Sequence, residues 1–580
     1  MRKTATRLLR PLAALSALAL TVLAQPAMAS ASSGADAFAR ADAGVPAAKA
    51  TASPSAGRSP GGSTASPGGP TGSPGSPSGS SGGSASSPGS PTSSPGGSIG
   101  APKGDVPKGL EKFYKQKVSW APCKDKPQMQ CADVKVPLDY KKPGGKTITI
   151  AMMKVPAKSG KPIGTLFVNP GGPGGSGIDL AANASESFSA SVRSKYDIVG
   201  FDPRGVGSST AVDCVSDAEL AKIADTDVDL STPEGRQTDK AITEQEAKGC
   251  QEKSGNLLPY LGTESAARDL DVLRGLVGDK KLNYFGFSYG TSLGGMYANL
   301  FPKKTGRLVL DGALDPQLGN ARMGYEQVVG FETAFQHYAQ HCVDTGRCPL
   351  GGSVDEARAK MKALFDQALK SPFPTTNPKR PLNRAALYST VISMMYRELY
   401  WTYLDQGLSQ LVEQNDGSVF LRLYDLFEER QGNRYKNNSK EAFWAINCAD
   451  YLPSPSAEYQ QYAEKLRAEA PVFGSLMMEG VDVCSLWPYH PKANPGPYKA
   501  KGSAPIVVIG TKYDPATPYQ WAQTLHKTLS NSVLLTWEGD GHTAYGKAGS
   551  CLNDPVDDYL LTGKVPQDGL VCPASSKSGK

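Results

Sequence analysis

The stretch Leu282-Asn-Tyr-Phe-Gly-Phe-Ser-Tyr-Gly-Thr-Ser-Leu-Gly-Gly295 sets a Gly-x-Ser-x-Gly, centred on Ser288, between an apolar run and a run of helix formers. A serine at the tip of a sharp strand-to-helix turn presents its hydroxyl for attack, and the flanking glycines let strand and helix approach closely. The bare motif arises by chance in glycine-rich chains, so its weight comes from the strand-turn-helix setting. A hydroxyl is a poor nucleophile until a base takes its proton, and that base needs a group to fix its tautomer. There are five histidines: His337, His341, His490, His526 and His542. Only His542 lies in a loop just past an expected late strand, within Glu538-Gly-Asp-Gly-His-Thr-Ala-Tyr-Gly546. His526 falls in a helical run and is expected to pack or to face solvent.

The orienting acid is expected at Asp514, in Thr511-Lys-Tyr-Asp-Pro-Ala-Thr-Pro518. The buried-type strand Pro505 to Gly510 runs into this segment, and catalytic groups gather at the carboxyl ends of strands in open α/β sheets. Asp540 competes for the role, but two residues before His542 it would have to fold back on its own loop. Thr517 either hydrogen-bonds the Asp514 carboxylate or closes the turn. The chain order Ser288, Asp514, His542 is the one used by α/β-hydrolases and differs from the other two common triad orders.

A tetrahedral intermediate also needs donors for its oxyanion. Asn169-Pro-Gly-Gly-Pro-Gly-Gly-Ser-Gly177 follows an expected strand and offers bare backbone N–H groups. Gly172 is assigned this role together with Tyr289, the residue after the nucleophile. The rival reading, a phosphate-binding loop, lacks its Gly-Lys-Ser/Thr. His337 and His341 stand four apart beside Cys342, a spacing that suggests zinc, but the glutamate of His-Glu-x-x-His is missing and Cys342 is expected to pair with Cys348. Neither a metal nor another cofactor is expected.

These groups need a frame. Asp133–Val136 and Thr147–Val155 read as an antiparallel hairpin at a sheet edge, around the turn Lys141-Lys142-Pro143-Gly144-Gly145. Short apolar runs at Thr165–Asn169, Asp197–Phe201, Leu282–Phe287 and Arg307–Asp311 suit buried parallel strands. Helical patterns such as Glu264–Val277 alternate with them, which argues for an α/β sheet covered on both faces. From about Gly312 to Pro497 strand signals give way to helical patterns at Met323–Cys342, Val354–Leu369, Asn383–Asn415 and Glu441–Tyr451. The sheet then resumes at Pro505–Gly510 and Ser532–Trp537.

The 580 residues include segments outside this frame. Arg2, Lys3, Arg7 and Arg10 precede an apolar run and Ala27-Met28-Ala29, the pattern of a secretory signal peptide over residues 1–29. The apolar run is shorter than the ~20 residues a bilayer span needs, so no stable membrane insertion is expected after cleavage. Between Thr51 and Gly100 only Arg58 and Ile99 are not Gly, Ser, Pro, Thr or Ala. Such a composition cannot bury enough apolar surface to offset the entropy of ordering, and residues 30–107 read as a disordered linker or pro-segment. Removing residues 1–29 takes four basic residues and no acid, so the formal charge falls from +7 to +3. Nucleic-acid binding loses its electrostatic support. Ten cysteines suit an oxidising compartment. Pairing between sequence neighbours is expected because short loops close at least entropic cost: Cys123–Cys131, Cys214–Cys250, Cys342–Cys348, Cys448–Cys484 and Cys551–Cys572.

Taken together, six motifs resemble the secreted bacterial tripeptidyl aminopeptidases, α/β-hydrolases related to the prolyl aminopeptidases. They are Asn169-Pro-Gly-Gly-Pro-Gly-Gly, Gly200-Phe-Asp-Pro-Arg-Gly-Val-Gly-Ser-Ser209, Gly286-Phe-Ser-Tyr-Gly-Thr291, Leu310-Asp-Gly-Ala-Leu-Asp-Pro316, Tyr513-Asp-Pro-Ala-Thr-Pro518 and Gly541-His542. The resemblance spans about residue 110 to the end. It implies a core over 108–311 and 498–580, the latter similar to the family's C-terminal region, and a helical cap over 312–497. It further implies a secreted serine exopeptidase that releases tripeptides or other short peptides from free N-termini; a monomer is expected, and the location is extracellular, in solution or at the cell wall. A cap can select a free amino terminus by placing a carboxylate where the substrate ammonium would lie, and Asp450 is the first candidate for that group and Glu398 the second. A secreted esterase or lipase of the same fold and a noncatalytic cell-wall interaction protein are the alternatives.

Overall fold

The computed structural model describes residues 106–474 and 480–574, so the expected signal peptide and nearly all of the expected linker lie outside the described residues. Ten strands form one sheet: β1 (Ala121–Pro122), β2 (Gln130–Pro137), β3 (Thr147–Val155), β4 (Gly164–Asn169), β5 (Tyr196–Phe201), β6 (Leu282–Phe287), β7 (Thr305–Asp311), and, beyond a helical insert, β10 (Ile506–Tyr513), β11 (Ser532–Asp540) and β12 (Leu570–Pro573). The insert carries a separate hairpin of two-residue strands, β8 (Arg430–Gln431) and β9 (Arg434–Tyr435). The spatial order is β1-β2-β3-β5-β4-β6-β7-β10-β11-β12. β1, β2 and β3 pair antiparallel, and β3 meets β5 antiparallel. From β5 to β12 every pairing is parallel.

The central strands are apolar throughout because both faces are covered, and alternate side chains point to opposite faces. Phe167, Leu308, Leu310, Ile506 and Val508 enter one core, where they meet Leu270 and Leu273 of the helix Thr263–Leu276, Leu293 of Tyr289–Leu300, and Trp521 of Tyr519–Thr528. Their neighbours Leu166, Val168, Val309, Val507 and Ile509 enter the other, against Leu180, Val192, Leu552 and Val556. This is the α/β-hydrolase arrangement.

Between β7 and β10 the described residues are mainly helical, with α-helices over Asn320–Asp344, Val354–Lys370, Arg384–Met394, Trp401–Gln414, Ser418–Phe427, Ser439–Asp450 and Ser456–Glu469. The expected long helix over Asn383–Asn415 is broken: a 3₁₀ turn, Glu398–Tyr400, separates two helices. At the break the Tyr396 carbonyl accepts the His542 N–H at 2.9 Å, so a contact with the core replaces a helical hydrogen bond. Asn438 and Glu441 tie the insert to the loop after β5. Asn438 exchanges hydrogen bonds with Gly205, Gly207 and Val212, and Glu441 accepts the N–H groups of Cys214 and Val215. All five disulfides join the sequence neighbours expected to pair. Among the described residues no helix is long and apolar enough to cross a membrane.

Candidate active site

Ser288 stands between the end of β6 and the helix Tyr289–Leu300 with φ 54° and ψ −125°, a left-handed conformation that is costly for a side chain bearing Cβ. Its N–H donates to the Asp311 carbonyl at 2.9 Å, and its own carbonyl accepts from the Thr291 N–H at 2.8 Å and hydroxyl at 2.6 Å. The turn is that tight because Gly286 has no side chain; a methyl there would lie 2.3 Å from the Gly290 oxygen.

His542 is 4% exposed. Its Nδ1 lies 2.9 and 3.0 Å from the two Asp514 oxygens. Asp514 also accepts the N–H groups of Ala516, Thr517 and Thr543 and the Thr517 hydroxyl. Burial alone would raise its pKa, but His542 and these donors outweigh burial and hold the carboxylate below its ordinary value. Of the two roles open to Thr517, its hydroxyl takes the bond to the Asp514 carboxylate, and it also lies 3.2 Å from His542 Nδ1. With Nδ1 committed to Asp514, Nε2 is left buried and without a partner among the described residues. An imidazole so oriented can take a proton at Nε2. The Tyr396 ring packs against the imidazole in a T-shaped arrangement, 5.4 Å between centroids.

The glycine-rich loop after β4 closes on the nucleophile turn. Asn169 Oδ1 accepts the Gly171 N–H at 3.0 Å, and Gly175 N–H donates to the Gly171 carbonyl at 3.0 Å. Gly171 is the residue in contact: a methyl there would meet the Tyr289 nitrogen at 2.8 Å. Gly172 follows with φ +109°, and its N–H has no acceptor among the described residues. Tyr289 opens a helix, where the first N–H groups have no intrahelical acceptor. The arrangement offers two donors for a developing oxyanion.

The remaining candidates are placed as follows. Asp540 pairs with His337 at 2.5 Å instead of with His542, and this bond raises the His337 pKa. Cys342 is bonded to Cys348, which removes the sulfur a zinc site at His337 and His341 would use. His526 bonds Ser532 on the far end of β11. Asp450 is buried, and both its oxygens accept from Thr263: the N–H at 2.7 Å and the hydroxyl at 2.5 Å. The same hydroxyl meets the Tyr289 phenol, so Asp450 is joined to the residue after the nucleophile through one intermediary. Burial pushes Asp450 up to about 7. Glu398 is exposed, next to the Tyr396–Arg397 segment that touches Gly541 and His542.

Sequence reasoning missed several supporting groups. Asp202 accepts the Ser176 hydroxyl at 2.5 Å and the Ser208 N–H at 2.8 Å, bracing the end of the glycine-rich loop. Asp311, fully buried, accepts the N–H groups of Ala544 and Tyr545 just after His542. The available signal was an acid at the end of an apolar strand, in Leu308-Val-Leu-Asp311.

Comparison with known proteins places this geometry in a lineage. The family model described as TAP-like protein matches residues 470–572. The serine protease Hip1 of Mycobacterium tuberculosis is 36% identical over 478 residues, covering 79% of this chain and 91% of the relative. A protein named carboxylesterase B from the same species is 35% identical, covering 76% and 86%. The tripeptidyl aminopeptidase of Streptomyces lividans is 31% identical, covering 77% and 83%. The chain is therefore a serine hydrolase and belongs to the tripeptidyl aminopeptidase-like family of α/β-hydrolases.

Proposed function

We propose that the protein is a secreted serine exopeptidase that releases tripeptides or other short peptides from free N-termini through an acyl-enzyme on Ser288. His542 accepts the Ser288 proton at Nε2 and returns it to the leaving amine, and Asp514 holds the tautomer and offsets the imidazolium charge. The N–H groups of Gly172 and Tyr289 receive the oxyanion. The observation that carries this reading is the histidine with Nδ1 committed to Asp514 and Nε2 bare, mounted against the same Asp311–Gly312 turn as the Ser288 N–H. The relatives named serine protease and tripeptidyl aminopeptidase support peptide substrates. Residues 312–497 form the cap, and Asp450 is the acid that receives the substrate ammonium, with Glu398 second. In support, Asp450 is a desolvated carboxylate with no cation beside it among the described residues, so an arriving ammonium relieves an existing cost.

The second reading, an esterase of the same fold, is favoured by the relative named carboxylesterase B. The test compares a free tripeptide amide with its N-acetylated form. Leaving a buried polar group unpaired costs roughly 1 to 3 kcal/mol and a charged one more, so at about 1.4 kcal/mol per decade kcat/KM is expected to fall at least about tenfold on acetylation. Asp450→Asn is expected to erase that difference while sparing small acyl esters. Equal cleavage of both peptides would hand the assignment to the esterase.

A further inference from the structure

Behind His542 lies a second set of charges that the triad does not use. The Lys547 ammonium donates to the His542 carbonyl and, at 2.9 Å, to the Thr543 hydroxyl. Thr543 is held at φ +65°, a left-handed conformation rare for a β-branched residue, so the chain directly after the base is strained and needs support. Asp311 supplies the rest. Its Oδ1 accepts the Ala544 N–H at 2.9 Å and its Oδ2 the Tyr545 N–H at 2.8 Å, while its carbonyl accepts the Ser288 N–H at 2.9 Å. The next residue, Gly312, lies so close that a methyl on it would come within 3.0 Å of His542 Cε1. One residue at the end of β7 thus touches both the nucleophile turn and the histidine loop.

We propose that Asp311 and Lys547 are positioning residues that lock the His542 loop against the Ser288 turn, and that the charge on Lys547 is required for full turnover. The inference rests on the triad assigned above. Among the described residues the charged groups facing Lys547 are Asp311 from β7, Asp514 from the end of β10, and Arg397 from the break in the insert, and the titratable His542 adjoins it through its carbonyl. Burial and Arg397 disfavour the ammonium, and the two carboxylates favour it; the balance brings Lys547 down to about 8. Above that pH the charged donor to the His542 carbonyl becomes a neutral, weaker one. Burial raises Asp311, opposed by its N–H donors and by Lys547, so neutralising the lysine also leaves Asp311 less well compensated.

The experiment follows turnover of a small acyl ester, and the rate of Ser288 labelling by a fluorophosphonate, from pH 6 to 10 on the full-length protein. The parent is expected to lose kcat above about pH 8 with KM little changed. Lys547→Arg, which keeps its charge at every pH, is expected to move that alkaline limb up by at least one pH unit. Lys547→Met is expected to lower kcat about tenfold and flatten the limb, and Asp311→Asn to lower kcat without a matching rise in KM. If Lys547→Met does not fold, Lys547→Arg decides the matter. A parent that is labelled at Ser288 but shares its alkaline limb with Lys547→Arg overturns the positioning role alone. A parent that is not labelled at Ser288 overturns the triad, and this proposal with it.

Discussion

At the residue scale, three side chains are given distinct parts and each part has its own test. Ser288→Ala removes the nucleophile and is expected to cost on the order of a million-fold in turnover while the melting temperature stays close to the parent's. His542→Ala is expected to be equally inactive, and His526→Ala close to normal because its ring contacts Ser532 away from the triad. Activity measured side by side would exchange the two histidines if the ranking were reversed. Asp450 gives a prediction of a different kind. Its pKa is raised to about 7, so between roughly pH 4 and 7 the folded state holds a proton that the unfolded chain has released. A group raised in this way loses stability as pH rises through that window. Asp450→Asn keeps an acceptor for the Thr263 N–H but has no charge to bury, so its melting temperature relative to the parent is expected to rise from pH 5 to pH 8. A difference that stays constant with pH would mean the carboxylate is not desolvated.

At the scale of elements, short loops with little freedom decide the geometry. The loop after β4 leaves no room at Gly171: a methyl would sit 2.6 Å from the Phe287 carbonyl and 2.8 Å from the Ser288 Cβ, and φ is +96°. Gly171→Ala is expected to cut kcat by at least about a hundredfold, the range seen when an oxyanion donor is lost, with a smaller effect on KM. Kinetics on a small ester would show the split. The loop after β5 depends on Arg204, whose guanidinium grips Asp269 with two bonds of 2.7 Å and donates to the carbonyls of Pro137, Leu138 and Tyr260. Both side chains are essentially inaccessible. Asp269→Ala leaves that cation uncompensated, at a cost of about 3 to 5 kcal/mol, and denaturant unfolding would read it as an earlier midpoint.

At the scale of the whole molecule, the insert and the sheet share the site. The sheet supplies Ser288, Asp514 and His542 from the ends of β6, β10 and β11. The insert supplies the carbonyl that fixes the His542 backbone and the helix whose last residue, Asp450, reaches Thr263. Cys448–Cys484 clasps that helix to the closing segment of the insert. Removing it with the double variant Cys448→Ser and Cys484→Ser is expected to cost about 2 to 5 kcal/mol and to affect free peptides more than small acyl esters. Thermal unfolding and paired substrate assays would check both.

How much of this could be read without coordinates follows from what is local. The nucleophile turn, the strand runs and the order of the three catalytic candidates were legible because each depends on neighbours within a few residues: the Gly-x-Ser-x-Gly, an apolar run covered on both faces, an acid or histidine just past a strand. The disulfide pairs were legible for the same reason, through the entropy of short loops. The four-residue β12 was not, because it is short, contains proline, and is recruited only by pairing with β11. Nor was the break in the Asn383–Asn415 helix, since the carbonyl that ends it answers a donor almost 150 residues away. The choice of Asp514 over Asp540 was argued from the loop's length, but the partner that engages Asp540, His337, came only from tertiary packing. Asp311 and Lys547 read locally as a strand-end acid and a loop lysine; only the fold brings them against the base and nucleophile, because a buried charge takes its meaning from the groups that surround it in space.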